Sequence, residues 1–233
     1  MHVIDIPQSV IDRVIRHRGR EHVYDDLEAR HTALIVVDMQ NAFMMPGVAH
    51  VLCDTARDIV PAINRLASAT RACGGTVVWV KNTFGEPSLK SWPVFHAMTG
   101  PERTRVRIQT MAEGAIGHAL WAGLEVNERT DLIVQKDRYS AFVPGASPLA
   151  EMLRARGLDT LLITGTVTNV CCDSTARDAM MQNFRTVMIT DANAAHTDEE
   201  HNAALVAFYL AFGDIMSTDL AIECLERSAS KAS

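Results

Sequence analysis

Short apolar runs alternate with amphipathic stretches along most of the chain. Residues 33–37 read Ala-Leu-Ile-Val-Val, and comparable runs fall at 76–80, 132–134, 160–164 and 186–189, with a shorter one at 214–217. Runs this brief and this continuously apolar fit strands buried on both faces of a parallel sheet. Between them the period changes to that of a helix. Ile59, Ile63, Leu66, Thr70 and Cys73 share one face of a stretch at 57–73, which Gly74-Gly75 terminates. Ser147 opens a helix running to about Arg156, closed by Gly157, and 198–212 reads as another. Helices are also predicted over 115–124 and onward from Cys172, where Cys172, Ala176, Ala179 and Met180 form a stripe. The alternation predicts a single α/β domain: a doubly wound, mostly parallel six-stranded sheet with helices on both faces.

The ends of the chain differ from this pattern. Residues 1–30 read as an N-terminal arm, 31–222 as the domain and 223–233 as a C-terminal tail. In the arm, Val10, Ile11, Val14 and Ile15 have helical spacing among Arg13, Arg16, Arg18 and Arg20. Such a helix packs on the domain or on a neighbouring subunit. Asp12, Glu21, Asp25, Asp26 and Glu28 lie close by and argue against a basic helix on a membrane surface.

Composition narrows the setting. The 233 residues are 48% hydrophobic, enough for a continuous core in one domain. A net charge of -6 argues against a nucleic-acid partner. No apolar run approaches the ~18 residues of a membrane span, and the first residues lack the pattern of a signal peptide. The cysteines are Cys53, Cys73, Cys171, Cys172 and Cys224, an odd number without metal-ligand spacing. This suggests neither a disulfide framework nor a structural zinc site, and a reducing, cytoplasmic compartment.

Candidate chemistry gathers at strand ends, where open α/β sheets bind ligands. Asp38 follows the first apolar run, Asn82 the second and Lys136 the third; Cys171 stands at a predicted helix start after the fourth. A helix N-terminus or a nearby cation lowers a thiol's pKa. Cys171 thus reads as a nucleophile, with Asp38 taking its proton, or as an inert buried thiol. Asp38 alone reads equally as a loop or cap residue, and Lys136 alone as a solvated lysine. Cys172, on the helical stripe, reads as packing. The long stretch 84–130 suggests a substrate lid. Its Arg103, Arg105 and Arg107 read as a solvated face, or one of them as the holder of a substrate carboxylate.

Several motifs are more specific. Val36-Val37-Asp38-Met39-Gln40-Asn41-Ala42-Phe43, Lys136 with Arg138-Tyr139-Ser140-Ala141-Phe142, Thr164-Gly165-Thr166-Val167-Thr168-Asn169-Val170-Cys171, and Ser174-Thr175-Ala176-Arg177-Asp178-Ala179 stand in this order. Together they resemble the isochorismatase-like cysteine hydrolases over roughly residues 32–217. The resemblance implies an Asp38–Lys136–Cys171 triad. It also implies a cis peptide at Thr166–Val167, in a turn whose Val167 and Cys171 N–H groups form an oxyanion hole. Relatives acting on nicotinamide carry an Asp-x-His metal site after the second strand. Here that region reads Lys81-Asn82-Thr83-Phe84-Gly85-Glu86-Pro87, so no metal and no cofactor are expected.

What the resemblance implies is a cysteine amidohydrolase acting on a small amide, ureido or carbamoyl substrate through a thioester. Gln40, Asn82, Tyr139 and Phe142 are the expected substrate wall, and a homo-oligomer, dimer or tetramer, the expected assembly. A vinyl-ether hydrolase of the isochorismatase type and a non-catalytic binding protein on the same scaffold are the alternatives.

Overall fold

The computed structural model describes residues 1–232. Six strands form one sheet: β1 (Thr32–Val37), β2 (Thr76–Asn82), β3 (Leu132–Lys136), β4 (Thr160–Thr166), β5 (Arg185–Ala194) and β6 (Asp214–Met216). Their order is β3-β2-β1-β4-β5-β6, and every pairing is parallel. The winding therefore reverses between β1 and β4, and the crevice of such a sheet opens at the C-terminal ends of that pair.

Alternate residues of each strand feed two cores. On one face Leu34, Val36, Val77, Trp79 and Leu162 pack with Ile63 and Leu66 of α3 (Val60–Ala72) and with Ala221 and Leu225 of α10 (Thr218–Ala232). On the other, Ala33, Ile35, Val37, Val78 and Ile163 meet Leu153 of α7 (Leu149–Arg154), Ala176 of α8 (Asp173–Met181) and Leu205 of α9 (Asp198–Ala211). This explains the unbroken apolar runs: both sides of each central strand are covered.

The arm forms α1 (Gln8–Arg18), which ends on Gly19 with a left-handed φ of 81°. It packs on its own domain. Val14 is buried there, and Arg18 donates to the Tyr209 and Gly213 carbonyls at 2.6 and 2.8 Å. Residues 223–232, expected as a tail, belong to α10, whose Cys224 and Leu225 complete the first core.

The crossover after β2 holds three helices: α4 (Glu86–Ser91), α5 (Pro93–Thr99) and α6 (Pro101–Met111). Each begins with proline in its first turn, where a missing N–H costs nothing. The helix expected over 115–124 is not present. Only a 3₁₀ turn, Ile116–His118, forms there. Residues 39–41 occupy the neighbouring backbone: Asn41 N–H donates to the Ala119 carbonyl, Trp121 N–H to that of Met39, and Gln40 bridges Leu120. A segment bonded edge to edge in this way cannot also close helical bonds. The short α2 (Asn41–Met44) completes this corner.

Gly165 fixes the closest approach of the two central strands. Its φ is +116°, and a β-carbon there would lie 2.1 Å from the Val37 carbonyl oxygen. Only glycine lets β4 run flush against β1 at that register.

Candidate active site

Each candidate side chain is delivered by a strand end. Asp38 follows β1 with a left-handed φ of 54°, a conformation uncommon for a residue with a β-carbon. Its N–H donates to the Val80 carbonyl at 2.9 Å, which turns the carboxyl across the end of the sheet. Lys136 is the last residue of β3, in register with Asn82 of β2. Its side chain reaches past β2 and donates from Nζ to Asp38 Oδ2 at 2.7 Å and to the Arg138 carbonyl at 3.0 Å. Both side chains are fully buried.

Cys171 comes from the turn after β4. The Thr166–Val167 peptide is cis. Residues Thr168–Cys172 then make one π-helical turn before α8 begins. Val170 and Cys172 N–H groups both donate to the Val167 carbonyl. This wide turn separates the two cysteines. Cys171 lines the main cavity, whereas Cys172 lies in the core with its thiol directed at the Thr164 carbonyl, 3.9 Å away.

The electrostatics differ from the sequence expectation for the thiol. Burial pushes Cys171 up, well above an ordinary cysteine; Lys136 opposes that rise and Asp38 adds to it. A free helix start and a cation were expected to lower it. The turn is instead enclosed, and desolvation outweighs the ammonium. Asp38 is also raised, by burial first, against the pull of Lys136. Burial pulls the Lys136 ammonium down, but the charges of Asp38 and Cys171 outweigh it and its net direction is up. The resting site therefore holds a neutral thiol beside the buried 2.7 Å contact between Lys136 and Asp38. Among the described residues Asp38 Oδ1 has no hydrogen-bond partner, and Cys171 and Asn82 are the groups that act on that carboxyl besides Lys136.

The cavity in front of Cys171 has a volume of about 540 Å³. Asn82, Tyr139, Val167 and Cys171 line it, with Phe43, His50, Phe84, Phe95, Val170 and His196. Glu102, Arg103 and Arg107 of α6 also face it. The Tyr139 ring stands edge-on to Trp92 and Phe95, at 5.1 and 5.3 Å between centroids.

Two residues expected in the wall lie elsewhere. Gln40 is fully buried behind it: Oε1 accepts from the Asn82 N–H at 2.7 Å, and Nε2 donates to the Asn82 and His118 carbonyls. It pins the end of β2 to the 116–118 turn. Phe142 points into the opposite core and meets the Phe184 ring edge-on at 5.3 Å. Its loop is drawn that way because the Ala141 N–H donates to Thr175 Oγ1 of α8.

Sequence reading missed Phe43, His50, Phe84, Phe95, Glu102 and His196. Phe43 closes the first quoted motif and Phe95 and Glu102 lie on α5 and α6, but the clearest signal was in Arg103 and Arg107: four apart on a helix, they share a face that Arg105 does not. Arg105 is exposed and pairs with Glu102 and Gln109. Among the described residues no three His, Cys, Asp or Glu side chains are grouped so as to hold a metal ion. No helix among them is long and apolar enough to cross a membrane.

With this geometry in view, comparison with known proteins decides the lineage. The isochorismatase domain model matches residues 32–219. The chain belongs to the isochorismatase family. Its relatives include the ureidoacrylate amidohydrolase RutB of Methylobacterium radiotolerans, 34% identical over 200 residues, with 80% of this chain and 76% of the relative covered. RutB of Methylorubrum extorquens is 36% identical over 177 residues, covering 71% of this chain and 70% of its own. Among solved structures, a cysteine hydrolase from Pseudomonas syringae pv. phaseolicola superposes with a TM-score of 0.75 at 27% identity, covering 87% of this chain and 96% of its own.

Proposed function

We propose that this protein is a cysteine-dependent amidohydrolase that cleaves a C–N bond of a small ureido, carbamoyl or amide substrate through a thioester. The broader class, a hydrolase of non-peptide C–N bonds, follows from the family and its ureidoacrylate amidohydrolase relatives. The observation that carries the finer reading is the buried Asp38–Lys136 pair with one carboxylate oxygen unpartnered, behind a cavity that contains Cys171.

Lys136 holds Asp38 by Oδ2 and opposes the rise that burial imposes on it, which favours the carboxylate as the proton acceptor. Oδ1 takes the Cys171 proton as sulfur bonds to the substrate carbonyl carbon, because a thiol raised by burial reacts only when its proton leaves at the same time. Charge develops on the carbonyl oxygen, where the Val167 and Cys171 N–H groups would hold it. The tetrahedral centre collapses, the C–N bond breaks, and the departing ammonia or amine takes the proton from Asp38. Water then gives a proton to Asp38 and its hydroxyl to the thioester carbon; the acid leaves, and the thiol recovers its proton. Asn82 and Tyr139 supply polar contacts in the wall.

All five cysteines are free, which supports a reducing, cytoplasmic setting. Exposed Val94, Met98 and Ile133 supply apolar surface for a homo-oligomeric contact.

The test is ammonia release from 3-ureidoacrylate and from a panel of ureas, carbamoyl compounds and amides. Cys171→Ala should abolish turnover and Cys172→Ala should retain most of it. Mass spectrometry of a quenched reaction should find the acyl group on Cys171. An active Cys171→Ala, or pyruvate release from isochorismate in place of ammonia from the panel, would overturn the reading.

A further inference from the structure

Arg107 is a buried cation that the proposed chemistry does not use. It sits on α6 in the wall of the cavity that holds Cys171, with 5% of its surface exposed. Its guanidinium lies 4.1 Å from the centroid of the Phe95 ring and 5.7 Å from that of Phe84. Its one polar contact among the described residues is with His96, Nη1 to Nδ1, at 3.4 Å. Among the described residues it makes no ion pair. Glu102, the acidic residue of the same cavity, is engaged with Arg105.

A guanidinium withdrawn from water without a carboxylate is costly, and aromatic faces return only part of that cost. Burial does pull Arg107 below its ordinary value, but a guanidinium stays charged in a protein. Its other donors are unclaimed. His50, in the same cavity, is pushed down to about 4 by burial and by the charge of Arg107, so it is neutral near pH 7 and brings no second charge. The cavity therefore combines an electrophile-seeking sulfur, an aromatic wall and a single desolvated fork of N–H donors. At about 540 Å³ it has room for a small molecule that touches both Cys171 and Arg107.

We propose that Arg107 is the carboxylate-binding subsite of this cavity, so that the substrate is a small ureido or carbamoyl acid held by its carboxylate while its carbonyl lies at Cys171. This rests on the amidohydrolase reading for the second half of the sentence but not for the first. The planar fork of arginine matches a carboxylate with two parallel hydrogen bonds, and Phe84 and Phe95 hold the guanidinium plane in place before the ligand arrives.

The experiment compares 3-ureidopropionate with n-butylurea, which replaces the carboxylate by an alkyl end. For the wild-type protein kcat/KM should favour the acid by about 100-fold, or ~2.8 kcal/mol at 1.4 kcal/mol per factor of ten. Arg107→Gln should collapse that preference to within a few-fold, chiefly through KM for the acid, with a clearly smaller loss on n-butylurea. Arg107→Lys, which keeps the charge, should retain part of the preference and serves if Arg107→Gln does not fold. Equal losses on both compounds, or no preference in the wild-type protein, would assign Arg107 to packing alone and overturn the subsite. If neither compound is turned over, calorimetry with 3-ureidopropionate on Cys171→Ala, with and without Arg107→Gln, separates the two ideas. Arg107-dependent binding then upholds the subsite, while the amidohydrolase reading stands or falls separately on ammonia release from the wider panel. No binding overturns the subsite.

Discussion

Lys136→Met isolates the buried ion pair. The ammonium and the carboxylate are both shielded from water and 2.7 Å apart. Methionine fills much of the lysine volume but leaves Asp38 with no cation. Burial already raises Asp38, and Lys136 is the main force opposing it. Without that force the rise is larger and the carboxyl holds its proton to higher pH in the folded protein, while in the unfolded chain it ionises at about 3.9. The sign follows from proton counting: above that pH the unfolded state binds fewer protons than the folded one, so stability falls as pH rises. Each pH unit costs ~1.4 kcal/mol for as long as Asp38 remains protonated. Because Asp38 is raised in the wild-type protein too, these are ceilings on the difference between the two proteins: about 1.5 kcal/mol at pH 5 and about 4 kcal/mol at pH 7, the latter within the ~3–5 kcal/mol found when one partner of a buried pair is removed. Urea unfolding of the wild-type protein, Lys136→Met and Asp38→Asn with Lys136→Met, at pH 5, 6, 7 and 8, reads this directly. Relative to wild type, the single variant should lose stability steeply with pH, and the double variant should regain most of it and lose the slope. A pH-independent loss in the single variant, or a double variant as unstable as the single, would refute the account.

Other consequences concern positions outside the reacting groups. Gly165→Ala puts a β-carbon 2.1 Å from the Val37 carbonyl oxygen at a φ of +116°. Conformational strain of ~1–3 kcal/mol and overpacking of ~1–3 kcal/mol add to roughly 2–6 kcal/mol of destabilisation, measurable by urea unfolding; a loss under about 1 kcal/mol would mean that the strands separate easily there. Phe142→Leu should lower stability by about 1–2 kcal/mol through loosened packing against Phe184 and leave KM unchanged. A raised KM would return Phe142 to the substrate wall.

The fold was legible where physics acts locally. Residues 33–37 and 160–164 are apolar without interruption because helices cover both sides of them, and that signal survives in any order of strands. The phase of Cys172 with Ala176 and Ala179 was legible for the same reason: all three are fully buried. Strand ends also pointed to Asp38, Lys136 and the Cys171 turn, since the C-terminal edge of a parallel sheet is one place. Side-chain direction at tight turns was not legible. Gln40 lies two residues from Asp38 yet turns back to bond Asn82, and Phe142 is pulled to the other core by a hydrogen bond from its neighbour to Thr175. Nor was the sign of the Cys171 shift legible, because it depends on how completely the lid helices and the π turn exclude water. The segment 84–130 carried one overlooked cue. Pro87, Pro93 and Pro101 recur at helix starts, where proline is favoured.

The strand order has a further effect, on the time course of folding. Lys136 and Asp38 are 98 residues apart in the chain, and β1, which carries Asp38, joins β4 across a still longer gap, with Val37 against Gly165. No contiguous fragment of modest length contains the site, and contacts of such separation form late because loop closure must precede them. Refolding would therefore restore helix signal before catalysis. Regain of turnover serves as a clock for the moment at which the two halves of the sheet close on one another.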